Sequence, residues 1–177
     1  MSFDLEAGLA ARRAAGLYRE RRSAQSAQSP LREFPGGELL SFCSNDYLGL
    51  ANHPGVGAAM VRGAQQWGVG AGASHLLAGH TAANHALEEE LAAAVGRPRA
   101  LLFSTGYMAN QGVLAALLDR RSAVYSDQLN HASLIDAARL CQARVVVYRH
   151  CDPQHLAGLL AADGAPRRLV ITDGVFS

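Results

Sequence analysis

The chain has 177 residues, 49% of them hydrophobic, which is enough for one domain with a sizeable core and too few for two ordinary ones. A formal net charge of +1 leaves no general electrostatic footprint for nucleic acid or an anionic membrane. No apolar run approaches the ~20 residues of a membrane span, and an N-terminus bearing Asp4 and Glu6 does not read as a secretory signal, so a cytoplasmic location is expected. Cys43, Cys141 and Cys151 are odd in number and form no C-x-x-C, which favours free thiols over a disulfide framework or a zinc site. All sixteen basic residues counted as Lys+Arg are arginines, and the chain has no lysine.

In chain order, Asp4 to Arg22 reads as a helix, with Leu5, Leu9 and Leu17 at multiples of four among arginines. From Ser23 to Gly37 the composition turns to Ser, Gln, Pro and Gly and reads as a connector, so residues 1–37 form a helical arm and linker. Leu39 to Cys43 is a short strand candidate. The following Ser44-Asn45-Asp46-Tyr47-Leu48-Gly49-Leu50 carries turn chemistry. Pro54 suits a first helical position, the helix runs to about Trp67, and Gly68 ends it. Gly68 to Ala73 follows a helix and not a strand, so it fails the context of a dinucleotide fingerprint and reads as a closely approached loop. Thr81 caps a helix through Val95, with Glu88 to Glu90 largely solvated and Gly96 as its stop.

Ala100 to Asn110 is the stretch around which the rest is arranged. Leu101 to Phe103 suits a buried strand, Gly106 permits a close backbone approach, and Val113, Leu114, Leu117 and Leu118 give the stripe of the next helix. Strand, turn and helix start in succession leave free N–H groups at a positive helix end, where the expected guest is an anion, most often a phosphate.

Beyond it, Ala123 to Tyr125 reads as a strand, Asn130 or Asp127 opens a helix, and Arg144 to Tyr148 is a β-branched strand. Asp152-Pro153 is an N-cap followed by proline at the first helical position, and Leu169 to Thr172 is the last strand. Strands alternating with helices imply an α/β fold, a three-layer arrangement with a mainly parallel sheet. Residues 38–177 are read as the N-terminal portion of a larger α/β domain, because the pattern stops at Ser177 with fewer elements than its apolar runs need.

Seven histidines invite a metal reading. His75, His80 and His85 lie five apart, a spacing that scatters rings around a helix, and no metal site is expected. His131 differs, since it follows a strand and loop where parallel strands open into the usual ligand crevice and could stack on a planar ligand or handle a proton; a capping or packing role is the alternative. Neither a Gly-x-Ser-x-Gly elbow nor a phosphate-binding Gly-x4-Gly-Lys loop is present.

Six blocks taken together resemble one family. Ser44 to Leu50, Gly70 to Ser74, Leu87 to Leu91, Leu102 to Tyr107, Asn130 to Leu134 and Thr172 to Ser177 occur in this order in the α-oxoamine synthases, pyridoxal-phosphate (PLP) enzymes of fold type I. The resemblance runs nearly the whole length of the chain. It implies a PLP-dependent decarboxylative condensation, and the stretches Arg99 to Gln111 and Ser74 to His80 resemble the branch that joins L-alanine to a pimeloyl thioester on coenzyme A or a carrier protein. By this resemblance Gly106 and Tyr107 hold the cofactor phosphate, His131 stacks on its ring as the catalytic residue within this chain, and Ser177 hydrogen-bonds its ring hydroxyl. Arg19 and Asn45 fall to the substrate, and family members are homodimers.

The family's Schiff-base lysine has no counterpart here. The resemblance therefore implies an inactive fragment of such an enzyme. The alternatives are a truncated paralogue acting through binding or assembly, and a sibling synthase that uses glycine.

Overall fold

The computed structural model describes residues 4–176. The chain divides into two units, Met1–Gly79 and His80–Ser177.

In the first unit, Asp4 caps helix α1 (Leu5–Ala14) by accepting the Ala7 N–H at 3.0 Å. The sequence suggested a helix reaching Arg22, but it ends eight residues earlier. Gly16 adopts φ +67°, and the N–H groups of Gly16 and Leu17 return to the carbonyls of Arg13 and Arg12 at 3.0 and 2.9 Å. This closes the last turn, and the arginines beyond lie in irregular backbone.

The expected connector contains a strand. β1 (Leu31–Phe34) and β2 (Gly37–Leu40) pair antiparallel, Leu31 opposite Leu40 and Phe34 opposite Gly37. Pro35-Gly36 forms the turn between them, with Gly36 at φ +105°. The strand expected over Leu39 to Cys43 thus sits earlier, because pairing across the turn fixes its register. Helix α2 (Pro54–Trp67) starts on proline and stops at Gly68, φ +76°, as expected. A π-helical turn at His75–Gly79 follows. Gly79 lies so close to Ala73 that a Cβ would sit 2.1 Å from the Ala73 carbonyl oxygen.

In the second unit, Thr81 and Asn84 form a reciprocal capping box at the start of α3 (Ala82–Ala94). Leu101 to Phe103 is not a strand. Its Leu102 N–H donates to Glu88 Oε1 at 2.9 Å instead of to a neighbouring strand, and Leu101 is 73% exposed. The run is apolar enough for a strand, but a ladder needs a partner, and none flanks it among the described residues. Glu88, expected to be solvated, is half-buried by this contact. Thr105 then opens α4 (Gly106–Leu117), its hydroxyl accepting the Met108 N–H at 3.1 Å.

The remaining elements alternate as expected: β3 (Ala123–Asp127), α5 (Ala132–Leu140), β4 (Arg144–Tyr148), α6 (Pro153–Ala161) and β5 (Arg168–Ile171). They form a parallel sheet in the order β4-β3-β5, with Ala123 level with Arg144 and Arg168. β3 is buried along all five residues because it has a strand on each side and helices on both faces. Val124 packs with Leu114, Leu118, Leu134, Ala138 and Ile171 on one face. Ala123 and Tyr125 pack on the other with Tyr148, Leu156, Leu159 and Leu160. The period of two along β3 divides the core into two layers, which makes a three-layer α/β arrangement. Among the described residues no helix is long and apolar enough to cross a membrane.

Candidate functional site

The carboxyl edge of the parallel sheet gathers the polar chemistry of the second unit. Asn130, buried just beyond β3, donates from Nδ2 to Ser126 Oγ at 3.0 Å and to the Ile171 carbonyl at 2.9 Å, and its Oδ1 accepts the Asp173 N–H at 3.1 Å. The end of β5 is thereby tied to the end of β3. In return the Asp173 carboxylate accepts the His131 N–H at 2.6 Å.

His131 is the N-cap of α5. Its Nδ1 accepts the Ser133 N–H at 3.2 Å and lies 2.7 Å from Ser133 Oγ. Both contacts fix the ring's orientation. Ser133 Oγ also accepts from Asn110 Nδ2 of α4 at 2.9 Å, and the Tyr107 hydroxyl donates to Asp136 Oδ2 at 3.0 Å. The hydrogen bond to Asp136, then desolvation and the carboxylate's charge, raise the Tyr107 phenol above its ordinary pKa. Two crossings thus tie α4 to α5, and His131 has the capping geometry that was one of its two readings.

Gly106 and Tyr107 occupy the first turn of α4, where their N–H groups have no intrahelical acceptor. A Cβ built on Gly106 would meet nothing within 4 Å, so the backbone there faces open space. Paired N–H donors, a positive helix end and room above them suit an anion.

Asp127 closes the other side. Burial alone would push its carboxyl up, but N–H groups of Leu129 and Cys151 and the His150 ring outweigh it and hold the carboxyl below the usual range. Asn130, Asp173, Ser133, Asp127 and His150 were not named as site residues from sequence; Asn130 and Asp127 were read as helix openers, a place that His131 takes, and Asn130, Ser133 and Asp173 lie within the family blocks.

Ser177 lies outside the described residues. Arg19 and Asn45 belong to the first unit. Arg19 lines an open concavity with Leu9, Arg12, Gly16, Leu17 and Tyr18. Asn45 sits in a turn whose Asp46 carboxylate holds the Leu50 N–H at 2.8 Å and the Ala51 N–H at 3.2 Å.

The three histidines do not share one helix as their spacing suggested: only His85 is on α3, while His75 is in the π-helical turn and His80 precedes the cap. The rings of His80 and His85 are 5.8 Å apart, edge to face, and with Glu88 offer ligand atoms within 4.8 Å of one another. Asp127, His150 and Cys151 form a second such group.

The chain has the fold of the type I PLP-dependent transferases. The structure matches serine palmitoyltransferase from S. paucimobilis, solved with PLP and myriocin bound, at 27% identity over 98% of this chain and 44% of that one, with a TM-score of 0.87. The chain belongs to the family described as aminotransferase class I and II, whose profile matches residues 37–177. It is similar to the 8-amino-7-oxononanoate synthase of Methylococcus capsulatus, 56% identical over all of this chain and 46% of that protein. The synthase of Pseudomonas aeruginosa is 58% identical over all of this chain and 44% of its own length. The chain spans less than half the length of these curated relatives.

Proposed function

We propose that this chain is the N-terminal, cofactor-phosphate-binding part of a PLP-dependent acyltransferase that condenses L-alanine with a pimeloyl thioester, releasing CO2 and the thiol carrier. The observation that carries the reading is the junction of α4 and α5, where the open N–H groups of Gly106 and Tyr107 are tied through Asn110 and Ser133 to His131. The 8-amino-7-oxononanoate synthases to which the chain is similar supply the substrate class.

Pyridoxal phosphate, when bound, supplies an electron sink for the carbanion at the α-carbon of the amino acid. The chain's own residues bind and orient. Gly106 and Tyr107 N–H groups receive the phosphate, held at the helix end by hydrogen bonds that need no reorganisation. His131, its Nδ1 occupied by Ser133, offers a ring of fixed orientation for stacking against the pyridine plane. Ser177 takes the ring hydroxyl. Arg19 pairs with a substrate carboxylate through its planar fork, and Asn45 lies by the substrate. With no lysine in the chain, cofactor held by these residues alone is held noncovalently. The longer protein acts as a homodimer.

Titration of the chain with PLP, followed by absorbance, tests the reading. Pyridoxal phosphate is expected to bind at least about tenfold more tightly than pyridoxal, and His131→Ala to weaken it further. Equal affinity for the two would remove the phosphate turn from the argument. A version extended to the length of its relatives is expected to release CO2 from L-alanine and pimeloyl-CoA. Turnover with glycine instead of alanine would move it to a sibling activity.

A further inference from the structure

His150 is absent from the roles assigned above, yet it joins two parts of the carboxyl edge. It lies in the loop after β4. Its Nδ1 is 2.9 Å from Oδ1 of the buried Asp127, at the end of β3. Its ring meets the Phe176 ring edge to face, with centroids 4.6 Å apart and planes at 79°. Phe176 belongs to the turn after β5, the turn that carries Asp173 and so the carboxylate that accepts the His131 N–H.

The loop bearing His150 is itself held in an unusual shape. Cys151 has φ +50°, a left-handed conformation that L residues with a side chain adopt at a cost. Asp127 Oδ2 accepts the Cys151 N–H at 3.0 Å, so one buried carboxylate fixes both the backbone after His150 and the ring of His150. Such over-determination is what keeps a strained backbone in place. An aromatic pair in edge-to-face geometry contributes ~0.5–1.5 kcal/mol beyond its buried area, enough to favour one placement of the turn. On its other flank the same turn is held by Asn130.

We propose that His150 is a positioning residue for the cofactor site: anchored on Asp127, it holds Phe176 edge-on and so fixes the Thr172–Phe176 turn whose Asp173 caps His131. The inference rests on the PLP reading for its consequence, and on geometry alone for its first link. Among the described residues no hydrogen bond or ring contact joins His150 to the phosphate turn or to His131. It acts through the turn, and its ring contributes more than its hydrogen bond because the ring is the part that meets Phe176.

Two substitutions separate the parts. His150→Phe keeps a ring against Phe176 and gives up the bond to Asp127, whereas His150→Asn keeps a donor for Asp127 and gives up the ring. Backbone order parameters from ¹⁵N relaxation of the chain are expected near about 0.85 at Val175 and Phe176, and below about 0.6 in His150→Asn. His150→Phe is expected between these limits, with β3 near about 0.85 throughout. In the same samples PLP affinity is expected to fall about tenfold in His150→Asn and less in His150→Phe. Unchanged order at Val175 and Phe176 in His150→Asn would overturn the proposal. So would equal loosening of β3, or a greater loss in His150→Phe. If the unsubstituted chain binds no PLP, the cofactor reading fails by itself, and the order parameters still decide whether His150 holds the turn.

Discussion

Asn130 makes three hydrogen bonds from a buried side chain, one back to Ser126 of β3 and two to the backbone at and just beyond the end of β5. Only a side chain with both a donor and an acceptor can serve the Ile171 carbonyl and the Asp173 N–H together. Asn130→Ala leaves both groups without their partner, and the expected cost is about 2–3 kcal/mol in urea denaturation. Asp163 shows a different dependence. It accepts hydrogen bonds from the Tyr125 hydroxyl, the Ala165 N–H and the Arg144 guanidinium, and its pKa is lowered from 3.8 to about 2, the Tyr125 bond being the largest cause. Its folded pKa lies below the unfolded one, so its stabilisation is fully present above the unfolded value and is lost as pH falls through the folded one. Asp163→Asn is therefore expected to be less stable than the unsubstituted chain at neutral pH. The gap should narrow between 3.8 and about 2. A gap of constant size across that interval, measured by denaturant midpoints, would show that the carboxylate's charge is not involved.

The first turn of α4 joins stability to binding. Thr105 caps it through the Met108 N–H, and the residues it presents, Gly106 and Tyr107, are those whose N–H groups have no intrahelical acceptor. Thr105→Ala removes the cap and is expected to cost ~1 kcal/mol of stability and to weaken PLP binding, because the donors lose their fixed direction. Thermal denaturation with and without cofactor checks both effects. This helix start was legible in sequence because the signals were local: a hydroxyl, a glycine and a stripe of apolar residues. Gly68 and Gly96 were legible for the same reason, and so was the Asp152-Pro153 start of α6. The elements that sequence placed wrongly depend on pairing and backbone closure that composition does not show. Leu101 to Phe103 has strand composition but no paired neighbour, and Glu88, fourteen residues away, takes the Leu102 N–H. The α1 seam continued in composition past Gly16, yet backbone closure ended the helix. β1 was hidden in a polar stretch because its pairing, not its composition, defines it. In the site, His131, Gly106 and Tyr107 came from motifs, whereas Asn130, Asp173 and His150 acquire meaning only from which strand ends lie side by side.

On the scale of the whole molecule, burial is uneven between the two units. Every buried apolar residue from Ala92 to Ile171 belongs to the second unit, while among the described residues of the first only Gly79 is buried. The first unit exposes large apolar side chains, among them Phe42 at 90% and Leu48 at 81%. Helix α1 buries nothing, and a ten-residue helix without tertiary packing is marginal in water. A two-stranded hairpin such as β1-β2 is no better placed. β3, in contrast, has partners on both edges and helices on both faces, so its amides open only when the core is lost. Hydrogen exchange should therefore divide the chain, with α1, β1 and β2 within about tenfold of unprotected rates and β3 protected at least about a thousandfold. The rates should not depend on protein concentration if each unit stands by itself. Protection of α1 or β1 equal to that of β3 would mean that the exposed apolar side chains of the first unit are covered in solution, and a rise in that protection with concentration would identify the cover as a second copy of the chain.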